Sequence, residues 1–169
     1  HILNSDDRYV DNFVLDKVTP LLKDSIGSFY YGALLFDDLS GQYSLQKFQY
    51  ARWKYPCLFY SAYIPHPTLL VSRVCYQAVG LYDIQFRIAA DHDIILRLLQ
   101  IAQAVFVPVP MTVMKTGGVS SVNQYKTFLD FKRVTIKHGF PRWVANLVFY
   151  IKIVKYRFFC GRLSNLKNS

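Results

Sequence analysis

The sequence predicts an α/β fold, because segments with the composition of strands are interspersed with segments that have helical spacing. The chain has 169 residues, of which 52% are hydrophobic, so it is long and apolar enough to bury a sizeable core. The predicted strands cover residues 1–3, 29–36, 42–48, 68–72, 105–109 and 111–115. The predicted helices cover residues 9–23, 73–79, 91–102, 124–137 and 142–162.

In the first part of the chain, each element is indicated by local spacing or composition. Residues 1–3 have the apolar character of the end of a buried strand, and a polar turn follows them. Apolar residues recur at helical spacing over 9–23, although Pro20 kinks or ends that helix early. Residues 29–36 are aromatic and apolar, which predicts a strand. In residues 42–48, apolar and polar residues alternate enough to predict the second strand of a hairpin.

The middle of the chain contains shorter elements that are delimited by proline and glycine. The prolines on either side of His66 make a rigid segment, and a short strand is predicted after it at 68–72. Gly80 stops the short helix predicted at 73–79. A more apolar helix is predicted over 91–102.

Proline also delimits the last two predicted strands. Pro108 and Pro110 close the strand at 105–109, and a separate strand is predicted at 111–115. Gly117 belongs to a flexible loop that follows them.

Two predicted helices end the chain. The helix at 124–137 ends at His138 and Gly139, and Pro141 opens the helix at 142–162. The last helix lacks an uncharged stretch of about 18 residues, so we do not expect it to span a membrane. Basic residues interrupt its apolar ones, which predicts an amphipathic helix that lies on an anionic membrane surface.

The charge of the chain indicates an anionic partner. Its 20 Lys and Arg residues outnumber 11 Asp and Glu residues, which gives a net charge of +9. From Lys126 onward, Asp130 is the sole acid. Nucleic acid is not the expected partner, because the basic residues are interleaved with large aliphatic residues and not arranged to read a groove. Three widely spaced cysteines form no zinc motif, so we expect reduced thiols in a cytosolic protein.

An acidic pair, Asp6 and Asp7, follows the first apolar residues. Paired carboxylates after a buried strand can hold a hard divalent cation such as Mg²⁺ or Mn²⁺, which would neutralise a leaving diphosphate. The alternative is that Ser5, Asp6 or Asp7 caps a helix that begins near Tyr9. Both interpretations remain open from these residues alone.

A second pair of acids, Asp91 and Asp93, lies at the start of the apolar helix. The Asp91 carboxylate can accept a proton from an attacking hydroxyl group, or it can simply cap the helix. We expect a structural role for Asp93, because its spacing from Arg97 allows an i,i+4 ion pair on one helix face. His66 is either a ligand for an acceptor or phosphate, or a structural histidine.

Several of these segments, taken in order, resemble one family. They are Leu3-Asn4-Ser5-Asp6-Asp7, Tyr31-Gly32, residues 66–73, Val79-Gly80-Leu81-Tyr82-Asp83, residues 88–98 and residues 117–120. The series resembles the family 2 glycosyltransferases, and most of all the bacterial branch that decorates cell-surface polysaccharides. The resemblance covers roughly residues 1–121.

This resemblance implies a GT-A fold, in which helices flank a mixed, largely parallel sheet. It implies inverting transfer from a nucleotide-diphosphate sugar to a glycan or lipid-linked acceptor. Asp7 would be the main ligand of Mn²⁺ or Mg²⁺, Asp6 would lie beside it near the donor, and Asp91 would be the base. Many members have Glu before that base, where this chain has Ala90. The other implied site residues are Asn4 and Ser5 for the donor, and His66, Arg73, Gly117, Gly118 and Ser120 for the acceptor.

The family's base-binding strand and loop precede its acidic pair, and this sequence does not contain them. We expect residues 1–123 to be the C-terminal part of the transferase domain. Residues 124–169 would be a basic helical extension that docks on the inner face of the plasma membrane. The alternative is a truncated, non-catalytic remnant that acts as a membrane-associated interaction module.

Overall fold

The computed structural model describes residues 1–4, 6–23, 27–38, 42–51, 64–115 and 123–158, together with the helical backbone of 159–167. The strands are β1 (Arg8–Tyr9), β2 (Ser28–Asp37), β3 (Tyr43–Gln46), β4 (Leu69–Leu70) and β5 (Gln103–Lys115). The α-helices are α1 (Val14–Val18), α2 (Arg73–Val79), α3 (Ala90–Ile101), α4 (Gln124–Lys137) and α5 (Arg142–Lys167). Short 3₁₀ turns cover Thr19–Leu21 and His66–Thr68. The predicted α/β class is therefore confirmed.

The strands form one mixed sheet in the order β1-β5-β2-β3, with β4 also paired to β2. The β2–β5 pair is parallel, whereas β1 pairs with β5, and β3 and β4 pair with β2, in antiparallel orientation. The expectation of a largely parallel sheet is therefore wrong for the strands that the structure describes. The short connection from β2 to β3 forces an antiparallel hairpin, while the long connection from β2 to β5 allows parallel pairing.

Strand β5 runs without interruption through Pro108 and Pro110, so the prediction of two separate strands is wrong. The prolines fall where the pairing with β2 is irregular. From Tyr31 to Ala33, β2 advances two residues, while the paired residues of β5 advance from Phe106 to Pro110. The extra residues of β5 form a bulge in which the missing proline N–H groups cost no regular ladder hydrogen bonds.

Other predicted elements are confirmed where the local signals are strong. Strand β2 and its hairpin with β3 lie where the composition places them. Helices α2 and α4 have the predicted bounds. Gly80 ends α2 with a φ of 79°, a left-handed conformation that favours glycine. Helix α5 starts as predicted at Arg142 and extends beyond the predicted end.

The N-terminal elements differ from the prediction. Residues 1–3 form no strand, and Ile2 is exposed. The helix predicted over 9–23 is confined to α1 and the following 3₁₀ turn, in which Pro20 stands at the start. The Asp11 carboxylate accepts a hydrogen bond from the N–H of Phe13 at 2.8 Å, which stabilises a turn ahead of α1.

Strand β2 lies at the centre of the core, and its successive side chains point to opposite faces of the sheet. On one face, Phe29 and Tyr31 belong to a buried cluster that includes residues of α3. On the other face, Tyr30 packs with buried residues of α1 and β5. A third cluster joins α3 to α4 through Leu96 and Val134. Among the described helices, none provides an apolar stretch that would span a bilayer.

The close approach of β2 and β5 at Gly32 predicts a large effect of a single added methyl group. A Cβ on Gly32 would lie 2.8 Å from the carbonyl oxygen of Val109 and would overlap the Met111 side chain. We expect Gly32→Ala to lower the free energy of unfolding by about 2–3 kcal/mol, because the strands must move apart. Urea denaturation followed by circular dichroism measures this change.

The matched control is Gly27→Ala, because no atom lies within 4 Å of a Cβ built at Gly27. This variant is expected to stay within about 0.5 kcal/mol of the original protein. Equal stability of the Gly32 and Gly27 variants would contradict the close packing of β2 on β5.

Candidate active site

Asp7 lies in a polar turn just before β1, and its carboxylate is buried. The Asp7 N–H donates to the carbonyl oxygen of Asn4 at 3.1 Å, and the Asn4 amide donates to Asp7 Oδ2 at 3.2 Å. Among the described residues, the buried Oδ1 atom of Asp7 has no hydrogen-bond partner. Burial and the neighbouring Asp6 raise the pKa of Asp7. Asp6 itself is exposed.

The alternative that the acidic pair caps a helix near Tyr9 is wrong. Tyr9 is in β1, and α1 begins later, at Val14, with Phe13 in the capping position. No side-chain hydrogen bond caps α1. The burial of Asp7 is therefore not explained by helix capping, and its buried Oδ1 atom is without a hydrogen-bond partner among the described residues.

The strand that follows Asp7 is tied to the segment that carries His66. Arg8 pairs with Val113 on the edge of β5. The neighbouring Thr112 hydroxyl donates to the carbonyl oxygen of Pro67 at 2.6 Å, and this bond is buried. The His1 ring is also hydrogen-bonded to that carbonyl oxygen, at 2.9 Å. The His66–Thr68 turn thus contacts His1 directly and is connected to the strand after Asp7 through β5.

His66 is buried in the rigid turn that the two prolines predict. The Thr68 hydroxyl fastens this turn by donating to the carbonyl oxygens of Pro65 at 2.9 Å and Gly32 at 3.2 Å. His66 Nε2 is hydrogen-bonded to the Tyr82 hydroxyl at 2.5 Å, and the two rings meet edge to face. Burial lowers the pKa of His66, and the negative charge of nearby Asp91 opposes this shift.

Asp91 lies in the first turn of α3, two positions after the N-cap residue, so it is not the N-cap itself, although its carboxylate accepts a first-turn N–H group. The capping position is Ala89, which makes no side-chain cap. Asp91 Oδ1 accepts the N–H of His92 at 2.7 Å. Burial raises the pKa of Asp91, while His66 and the N–H of His92 oppose that shift. A carboxylate with a raised pKa beside an imidazole is suited to accept a proton.

Asp93 has the structural role predicted for it, with more partners than the sequence indicates. It is fully buried, and its Oδ2 accepts from Arg97 Nε at 2.9 Å. Its Oδ1 meets Lys137 Nζ at 2.9 Å and His138 Nε2 at 3.0 Å, both at the end of α4. Burial alone would raise the pKa of Asp93, but the hydrogen bonds from Lys137 and His138 and the charge of Arg97 lower it.

Arg97 extends this network to the segment that carries Tyr82. Its guanidinium donates to the carbonyl oxygens of Val79, Gly80 and Leu81, the last at 2.8 Å. These bonds fix the backbone immediately before Tyr82. Asp93 therefore supports the hydrogen bond between Tyr82 and His66 through Arg97, although it faces away from Asp91 on the helix.

Tyr82 is the residue of this cluster that sequence reasoning missed as a site residue. Burial, a hydrogen bond with Tyr76 and the charge of Asp91 raise its pKa, so the hydroxyl remains protonated. Tyr82 stands in one of the segments that resemble the transferase family, but its residue type alone carries no chemical signal. Its contact with His66 depends on folding.

For the remaining predicted site residues, the described part of the chain shows no contact with Asp91. Arg73 is exposed at the first position of α2. Ser5, Gly117, Gly118 and Ser120 lie outside the described residues. A cavity of about 840 Å³ lies at the far end of α3, where Leu99 and Gln103 line it. Asp91 is at the opposite end of that helix, so this cavity does not belong to the site.

A divalent cation fits the residues around Asp7 in part. Within the described segments, no three His, Cys, Asp or Glu side chains converge as a metal cluster. However, Mg²⁺ and Mn²⁺ are often held by one or two carboxylates together with substrate phosphates. The buried Oδ1 of Asp7 is a hard oxygen ligand of the required type.

No protein-family model matches the sequence, and no curated protein matches it. The resemblance of the ordered segments to family 2 glycosyltransferases thus stays a prediction. The function has to be inferred from the cluster of Asp91, His66 and Tyr82 and from its connection to Asp7.

Proposed function

We propose that this protein is an inverting glycosyltransferase of GT-A type. It would transfer a sugar from a nucleotide-diphosphate sugar to a glycan or lipid-linked acceptor in cell-surface polysaccharide synthesis. The observation that carries the proposal is that Asp91 lies close enough to buried His66 for each charge to affect the other's pKa. The turn that carries His66 is hydrogen-bonded to Thr112 of β5, the strand that pairs with β1 after Asp7. One carboxylate is thereby available for proton transfer and a second for the donor.

In this proposal, Asp91 acts as the base. It removes the proton of the acceptor hydroxyl while the oxygen attacks the anomeric carbon of the donor sugar. The new carbon–oxygen bond forms on the face opposite the diphosphate. The bond between the anomeric carbon and the diphosphate oxygen breaks, and its electron pair leaves with the diphosphate. The proton ends on Asp91, and the positive end of the α3 dipole stabilises the carboxylate before transfer.

Asp7 and the adjacent Asp6 would hold Mn²⁺ or Mg²⁺. The bound ion would neutralise the negative charge of the diphosphate. Asp7 contributes its unpartnered Oδ1 atom, and Asn4 orients the carboxylate through Oδ2. His66 and Tyr82 are held together by a hydrogen bond and would form a polar surface next to Asp91, where the acceptor hydroxyl would bind.

The metal role of Asp7 predicts a measurable binding defect. We expect Asp7→Asn to weaken Mn²⁺ binding at least about tenfold, because the Asn side chain lacks the negative charge of the carboxylate. Since burial and Asp6 raise the pKa of Asp7 above its ordinary 3.8, Mn²⁺ affinity should also fall as the pH is lowered toward that raised pKa. Electron paramagnetic resonance of free Mn²⁺ measures both effects.

The control for this prediction is Asp16→Asn, which removes an exposed acid from α1. It should bind Mn²⁺ like the original protein. Unchanged Mn²⁺ affinity in Asp7→Asn would show that the ion, if bound, is held elsewhere.

The activity is tested by a donor screen that measures release of nucleotide diphosphate. The protein should be expressed with any sequence that its gene encodes ahead of His1. We expect release with one class of nucleotide sugar, dependent on a divalent cation and on a glycan or lipid-linked acceptor. If no donor is bound or cleaved, the alternative of a non-catalytic, membrane-associated interaction module replaces this proposal.

We place the enzyme at the inner face of the plasma membrane, in peripheral contact with anionic lipid. The support for this placement is the net charge of +9 and the concentration of basic residues in the C-terminal helices. A lipid-linked acceptor would be reached most directly from that position.

A further inference from the structure

Helix α5 is apolar on two opposite faces. One face packs on α4, where Ala145 and Phe149 are buried. Phe149 meets the Tyr125 ring at 5.7 Å, and Lys132 Nζ lies 4.6 Å from the centre of the Phe149 ring. Lys152 is on the same face, over Phe131 at 4.9 Å. The apolar residues on this face of α5 are therefore explained by packing against α4.

The opposite face of α5 carries an exposed apolar stripe. Five residues spaced by three or four positions form it, and each exposes more than half of its surface: Trp143, Leu147, Tyr150, Val154 and Phe158. At about 1.5 Å per residue, the stripe runs for roughly 20 Å along the helix. A continuous apolar patch of this kind on a folded protein marks an interaction surface.

Basic residues flank the stripe on both sides. With about 100° of rotation per residue, Lys155 lies on one side of Val154 and Arg157 lies on the other. Both side chains are exposed. A second copy of this chain docked face to face would bring these like charges together, and the net charge of +9 would add to the repulsion. An anionic surface would be attracted by the same charges.

We infer that the stripe of Trp143, Leu147, Tyr150, Val154 and Phe158 is a membrane-contact face that inserts among the headgroups of an anionic bilayer. Apolar side chains would enter the acyl boundary, while Lys155 and Arg157 contact lipid phosphates. Trp143 and Tyr150 have the amphipathic rings that favour this depth. The inference adds a defined surface to the proposed function, whose lipid-linked acceptor would lie in the same bilayer.

The test is co-sedimentation with vesicles of phosphatidylcholine and phosphatidylglycerol. The double variant Leu147→Glu/Val154→Glu should lower the partition coefficient at least about tenfold, because two charges enter the apolar face. The matched control is Leu81→Glu/Ile84→Glu, which makes the same charge change at two exposed apolar residues outside α5. This control should retain most of the binding.

Fluorescence of Trp143 provides a second measurement. In a Trp53→Phe background, Trp143 is the sole tryptophan, and its emission should shift to shorter wavelength when anionic vesicles are added. Vesicles of phosphatidylcholine alone should bind more weakly. Retained binding by Leu147→Glu/Val154→Glu, or no emission shift, would overturn the inference.

A dimer in light scattering that dissociates in the α5 variant but not in the control would also overturn it, by assigning the stripe to a second copy. The vesicle measurements need neither donor nor turnover. A failure of the membrane face is therefore distinguishable from a failure of the proposed transferase activity.

Discussion

For the proposed glycosyl transfer, replacing Asp91 with Asn is expected to leave a folded protein whose transfer rate is reduced by about 10²–10⁴-fold. The amide cannot accept the proton of the acceptor hydroxyl, although it fills the same space. Burial raises the pKa of Asp91 above its ordinary value of 3.8. Ionising this carboxylate therefore lowers the stability of the folded protein as the pH rises from 3.8 through the raised pKa. Asp91→Asn removes that cost, so its melting temperature at neutral pH should not fall.

Initial rates of nucleotide diphosphate release, with donor binding measured in parallel, check this expectation. In the original protein, kcat/KM should increase with pH through the raised pKa of Asp91, because the base must be ionised. Asp16→Asn serves again as an exposed-acid control and should retain full activity. Comparable turnover in Asp91→Asn would remove Asp91 from the mechanism and leave His66 as the group to examine.

Replacing Asp93 with Ala is expected to lower the free energy of unfolding by about 2–4 kcal/mol. Asp93 is fully buried, and its removal leaves Arg97 and His138 largely buried without their common acid. Lys137 is partly exposed, so water compensates for some of its lost contact. The effect should reach the site as well, because Arg97 fixes the backbone before Tyr82.

The pH dependence of stability follows from the lowered pKa of Asp93. Its contribution is present above the ordinary value of 3.8 and is lost as pH falls through the lower pKa of the folded state. Urea denaturation of the original protein and of Asp93→Ala, at neutral and acidic pH, measures this loss of stability. Lys17→Ala, which breaks the exposed pair with Asp11 but keeps the bond from the Phe13 N–H to Asp11, should leave the midpoint nearly unchanged. A similarly small effect of Asp93→Ala would show that the buried network does not stabilise the fold.

The parts of the fold that sequence patterns predicted are those with strong local signals. The aromatic run of β2, the glycine after α2 and the spacing in α4 each depend on neighbouring residues. The course of β5 was not predictable in this way. Its prolines are tolerated because the pairing with β2 is irregular at that point, and irregular pairing depends on both strands.

The candidate site shows the same division between local and long-range information. Spacing alone separated Asp93 from Asp91, because the pair with Arg97 lies within one helix. The hydrogen bond between His138 and Asp93 joins α3 to the end of α4, which is distant in sequence, so residue spacing does not predict it. The burial of Asp7 likewise depends on where β1 docks on β5, so sequence reasoning could only leave metal binding and capping as alternatives.

The packing of α4 on α3 has a consequence for reducing the chain to a smaller working unit. Wherever the junction near residue 123 is drawn, a protein shortened there would lose Lys137, His138 and Val134 at once. Leu96 would then be uncovered, and Asp93 would keep Arg97 alone among these partners. A minimal unit that keeps the candidate site, or a graft of its acids into another protein, would therefore have to include α4.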